Sequence, residues 1–69
     1  MRAFKIVVER DLDTSLYVGC VPGWPGAHSQ GDTVDDLTRN IHEVLEMLLE
    51  DGDPKPESEF IGIQTIHVT

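Results

Sequence analysis

A single cysteine, Cys20, excludes an internal disulfide, and no apolar run in the 69 residues approaches the roughly 18 that suggest a membrane-spanning helix. No signal-peptide pattern follows Met1, so a cytoplasmic chain is expected. Basic residues are scarce: five Lys and Arg stand against thirteen Asp and Glu, for a net charge of −8. Nucleic-acid phosphates are held by clustered Lys and Arg, so direct nucleic-acid binding by this chain is not expected and a basic protein is the more natural partner. Gly26 and Gly31 precede a predicted helix without the lysine of a P-loop or the spacing of a dinucleotide-binding loop. Asp32, Asp35 and Asp36 surround that helix start, where they satisfy its positive dipole end and would repel a phosphate.

What remains describes one small domain spanning 1–69, with 39% hydrophobic and 26% charged residues, a globular rather than disordered composition. A lone core of this size supplies about 3 to 5 kcal/mol, and natural mini-domains add a disulfide, a metal or a partner chain. The charge is concentrated. Residues 2–31 carry Glu9, Asp11 and Asp13 against Arg2, Lys5 and Arg10, and residues 60–69 carry no Asp, Glu, Lys or Arg. The entire excess falls in 32–59, where ten acids face only Arg39 and Lys55.

Periodicity orders the elements. Residues 2–8 alternate Phe4/Ile6/Val8 with Ala3/Lys5/Val7 and read as a strand; Asp11, Asp13 and Thr14 supply turn chemistry, and 16–21 returns as a second strand. Two prolines and two glycines within 22–26 exclude regular structure there, and 27–30 forms a short third strand stopped by Gly31. Thr33 is an N-cap with Asp36 at the third helical position. Val34, Leu37, Ile41, Val44, Leu45 and Leu48 then recur at spacings of three and four, predicting an amphipathic helix that ends near Glu50 with Gly52 in the left-handed position beyond it. Pro54 and Pro56 prevent its continuation, and 60–68 reads as a last strand.

The predicted fold is therefore α+β in the order βββαβ, an open sheet with one helix on one face. A right-handed crossover lays the last strand parallel to the first and beside it. Both of those strands carry apolar residues on both faces, yet one helix covers one face, so self-association into a homodimer or larger homo-oligomer, or docking onto another protein, is expected.

No catalytic constellation emerges. His28 and Ser29, adjacent on a strand, point to opposite faces, so a nucleophile and base do not meet there. Cys20, His28, His42 and His67 match no zinc spacing, so no metal site and no cofactor is expected. Cys20 sits in an apolar strand without an activating base and is expected to be buried and inert. In contrast, Asp35, Asp36, Glu43, Glu46 and Glu50 fall within an arc of about 100° on the helical wheel, opposite the apolar stripe and interrupted by Arg39 alone. Like charges at i,i+3 and i,i+4 each cost a few tenths of a kcal/mol, and Glu50 and Asp51 stand at the helix end where the dipole prefers cations. A solvated face is the plain explanation; a surface for a basic protein is the functional one.

The run V-P-G-W-P-G-A-H-S-Q-G-D-T over 21–33, preceded by Phe-Lys-Ile-Val-Val and followed by the acidic amphipathic helix, resembles the HicB-type antitoxins over nearly the whole chain. Two departures stand out: Ala27 where that family often has Cys, and Asp35-Asp36-Leu37 where it often has Glu-Glu-Ala. The resemblance implies a partial ribonuclease-H-like sheet that has lost nuclease activity, and neither 4–8 nor 60–68 carries a carboxylate able to hold a divalent ion on the sheet. It also implies a non-enzymatic role, neutralising a small basic HicA-type RNA-cleaving toxin by covering its RNA surface. Longer members add a C-terminal DNA-binding region; this chain runs to Thr69, so no DNA binding by it alone is expected. Trp24, in the Pro/Gly loop, is either a binding hot spot or a lid on the core, and Tyr17 on the second strand is a further contact candidate. The alternative function is a non-catalytic dimeric binding or regulatory module for another partner.

Overall fold

The computed structural model describes residues 2–50, 52 and 54–69. Three strands, β1 (Val7–Arg10), β2 (Tyr17–Cys20) and β3 (His28–Gly31), form one antiparallel sheet in the order β1-β2-β3, followed by one helix, α1 (Val34–Leu49). This is the expected α+β class with its first four elements in the expected order.

Local chemistry explains each connection. Between β1 and β2, Asp11 organises the turn: its carboxylate accepts from the Asp13 amide at 3.0 Å and the Thr14 hydroxyl at 3.1 Å. Its carbonyl accepts from the Ser15 amide at 2.8 Å, with Ser15 at φ 66°. Between β2 and β3, the Trp24 amide donates to the Val21 carbonyl at 3.0 Å and the Ala27 amide to the Trp24 carbonyl at 2.8 Å, with Gly23 at φ 88°. That tight loop is why β1 is shorter than expected at its start. With Val7 opposite Cys20 and the Val21 amide donating to Ala27 at 2.9 Å, residues 2–6 have no continuing β2 strand to pair with.

At the helix start, the Asp36 amide donates to Thr33 Oγ1 at 3.0 Å, capping one of the amides an α-helix leaves unpaired. At its other end Glu50 is the C-cap and Gly52 follows at φ 123°. Asp51, expected beside Glu50, lies outside the described residues.

The register places Val8, Gly19 and Ser29 across from one another, and Gly19 faces the helix. There Leu37, Ile41 and Leu45 meet Val21 and Ala27 in the core, with Phe4, Ile6, Tyr17, Trp24, Val44 and Leu48 packed around it. Val34, the first member of the predicted stripe, remains exposed at the helix N-terminus. The Asn40 side-chain amide donates to the Gln30 carbonyl at 2.8 Å and ties α1 to β3.

Two expectations are corrected. Cys20 is exposed, not buried. Strand alternation puts Gly19 and Val21 under the helix and therefore turns Cys20 to the open face of the sheet. The last strand over 60–68 joins no ladder, and residues 54–69 are exposed throughout. Ile61, Ile63, Ile66 and Val68 are 81 to 88% exposed. The segment carries strand-forming residues, but a strand needs a partner edge, and the chain leaves its own body at Phe60.

Glycine at 19 and 31 sets the helix-to-sheet distance. A Cβ on Gly19 would sit 3.0 Å from the tips of Ile41 and Leu37, whereas one on Gly31 would sit 2.7 Å from the Leu37 amide nitrogen. Side-chain tips can yield and backbone cannot. Gly31→Ala is therefore expected to cost about 2 to 3 kcal/mol and Gly19→Ala about 1, read as midpoints in urea unfolding; equal effects would contradict this packing.

Candidate functional site

The outward side of α1 follows from the same periodicity that buries Leu37, Ile41 and Leu45. Asp35, Glu43, Glu46 and Glu50 are exposed there and Asp36 is half-buried. Two of the five carboxylates have partners on the helix itself: Arg39 Nη2 lies 3.2 Å from Asp36 Oδ1, and His42 Nδ1 lies 3.0 Å from Glu46 Oε1. Among the described residues, Asp35, Glu43 and Glu50 enter no ion pair. Asp35 and Asp36 in the first turn favour the helix dipole, but the last turn holds no base to balance Glu50. The C-terminal half of this face thus works against the electrostatics of its own helix.

Trp24 and Tyr17 are not on that face. Trp24 packs edge-to-face on Phe4 with ring centroids 5.4 Å apart, and the Arg2 guanidinium lies 5.3 Å from both ring centroids. Arg2 was not singled out from sequence, since nothing local indicates that residue 2 meets residue 24. Tyr17 is half-buried against the core, opposite Gly31 at the end where α1 begins. The glycine at 26 approaches Leu48, so the Trp24 loop sits at the other end of the helix. The seven predicted residues therefore form an acidic outer stripe with one aromatic tucked under each end.

Chemically this surface offers carboxylates spaced for cations. The sheet offers little else. Cys20 pairs in register with His28 on β3, while Ser29 lies opposite Gly19 on the helix side. Among the described residues no three of His, Cys, Asp and Glu gather as a metal-ligand set, and no helix is long and apolar enough to cross a membrane.

The family described as HicB-like antitoxin of bacterial toxin-antitoxin system matches residues 4–66. The chain belongs to the HicB-like antitoxin family. It is similar to a UPF0150 protein of Synechocystis, 46% identical over 65 residues that make up 94% of this chain and 93% of the relative. UPF0150 proteins of Thermotoga maritima and Archaeoglobus fulgidus are 38% and 40% identical, covering 97% and 94% of this chain and 91% and 93% of their own lengths. No solved structure matches. Membership in an antitoxin family implies a toxin partner.

The HicB-like match runs from Phe4, ahead of β1, through α1 to residue 66, so Trp24, the acidic helix and most of the unpaired segment lie within it. Within it the Phe4 to Trp24 contact is a measurable stabiliser. Trp24→Ala is expected to lower stability by about 2 to 4 kcal/mol, somewhat below a fully buried aromatic. A double-mutant cycle with Phe4→Ala should give a coupling of about 0.5 to 1.5 kcal/mol; additive effects would show that the ring contact contributes nothing of its own.

Proposed function

We propose that this HicB-like chain binds a small, basic, HicA-type RNA-cleaving toxin in the cytoplasm and neutralises it by covering its RNA-binding surface, without performing a reaction of its own. The observation that carries this reading is the carboxylate stripe on the outer side of α1, in a member of an antitoxin family. An RNA-cleaving protein must present cations to phosphates. Asp35, Asp36, Glu43, Glu46 and Glu50 offer carboxylates to those same cations in the place of the RNA backbone. Relief of the like-charge repulsion along Glu43, Glu46 and Glu50 then adds to binding, and complementary fields speed the encounter.

Three of the five acids are ready to engage without breaking an ion pair. Asp36 must share with Arg39, and Glu46 with His42. These pairs are exposed and worth little, so exchanging them for a toxin cation is inexpensive. Tyr17 and Trp24, at the two ends of the helix, supply the amphipathic contacts that commonly anchor such interfaces.

Reversing Glu43 and Glu46 to Lys tests the reading. Exposed contacts of this type are worth about 0.2 to 1 kcal/mol each, and reversal adds repulsion. Affinity for a purified HicA-type toxin, measured by calorimetry, is expected to fall by roughly 10-fold or more, with a flatter salt dependence. Unchanged affinity would remove the acidic face from the interface.

A further inference from the structure

The chain carries two unfinished halves of one β-interaction. The first is an edge. β1 is an outer strand of the sheet, α1 lies over β3 and β2 instead, and Val8 on the helix side of β1 is left 40% exposed. Between residues 2–6, which lead into β1, and the helix runs an open groove, lined by Phe4 and Ile6 on one side and Ile41, His42 and Leu45 on the other. The second half is a strand. Residues 60–68 contain Phe60, Ile61, Ile63, Ile66 and Val68, all of them exposed, and belong to no ladder.

The chain's own arm does not fill its own groove. The Glu57 amide donates to the Gly23 carbonyl at 2.7 Å, and Phe60 shares a pocket with Phe4 and Trp24, so the chain is pinned to the body as far as Phe60. From there it projects away. The molecule is 47 Å long with a radius of gyration of 13.6 Å, against about 11 Å for a compact chain of this length.

We propose that the arm of one copy adds as a fourth strand along β1 and the residues 2–6 before it in a second copy, with alternate apolar side chains dropping into the groove between 2–6 and α1, and that the second copy's arm does the same in return. The arm thereby takes, on the partner, the place beside the first strand that a right-handed crossover would reserve for it within one chain. Nine extended residues reach about 30 Å, enough to run along residues 2–10. A reciprocal exchange closes with two-fold symmetry and leaves no free arm to recruit further copies. Exposed edge amides and carbonyls on both sides gain partners.

Charge identifies the occupant as another copy. Two chains of net charge −8 repel one another, so a self-contact belongs where that charge is absent. The arm has no Asp, Glu, Lys or Arg, and the segment it meets, residues 2–10, holds Arg2, Lys5 and Arg10 against the one acid Glu9. The groove borders the acidic face at His42, the partner of Glu46, but none of the face's carboxylates lines it. The exchange is therefore independent of toxin binding, and no toxin enters its test.

The test uses the full chain. Light scattering on the eluted protein is expected to give twice the 7.7 kDa protomer mass. Ile63→Asp with Ile66→Asp, both at positions exposed in the protomer, should shift it to the protomer mass. A second measurement holds even where the separated chain unfolds. A chain carrying Cys20→Ser and labelled with nitrogen-15 is mixed with unlabelled chain carrying Cys20→Ser and Thr65→Cys, spin-labelled at 65. Broadening of the amide signals of residues 5–8 in the labelled chain is expected, and it arises solely between copies. A protomer mass for the unaltered chain, a dimer that survives both aspartates, or unbroadened β1 amides in the mixture would each overturn the proposal.

Discussion

The structure depends on a single close approach, that of α1 to the sheet. Leu37, Ile41 and Leu45 reach the strands because Gly19 leaves room for the tips of Ile41 and Leu37 and Gly31 lets the backbone at Leu37 come near β3. Among the described residues five make up the buried core, with α1 on one side of it. In so small a domain there is no second layer to compensate for a poor fit, which is why both glycine positions matter more than their size suggests.

From that approach follows an asymmetry. Asn40 and the packing of Leu37 hold α1 toward β3, so the sheet is covered at one edge and uncovered at the other. The uncovered edge is β1 together with residues 2–6 that lead into it, and these have no continuing β2 strand to pair with because the chain turns at 22–26. Ring contacts among Arg2, Phe4 and Trp24 close the end of this region instead. The result is a body complete around Leu37 and incomplete along β1.

Local signals were legible in the sequence and long-range ones were not. The spacing of Val34 to Leu48, the Thr33 cap and the Pro/Gly cluster at 22–26 act within a few residues, and the helix, its start and the loop lie where those signals put them. Face assignment is less local. Cys20 looked internal because its neighbours are apolar, but alternation with Gly19 and Val21 on the helix side sends it outward. The arm was the hardest to read. Its β-branched run specifies an extended chain, while the identity of the strand beside it depends on where Phe60 is anchored, and no periodicity encodes that. At the candidate site the five acids were visible on the helical wheel, whereas the packing of Trp24 under Arg2 was not.

Charge segregation connects these features to the role of an antitoxin. A protein that must present a field of carboxylates cannot also use that surface to bind itself, because like charges brought together in an interface destabilise it. Here the excess lies wholly in 32–59, while residues 2–10 carry three bases against one acid and residues 60–69 carry no Asp, Glu, Lys or Arg. The helix stands between the two functions: its inner stripe holds the sheet, and its outer stripe remains open to a cationic partner. An uncharged arm and a locally basic edge are the parts of this chain able to meet a second acidic copy without cost to that field. In the proposed exchange each copy would keep its own carboxylate stripe free, because Asp35, Glu43 and Glu50 do not line the groove that the arm would fill.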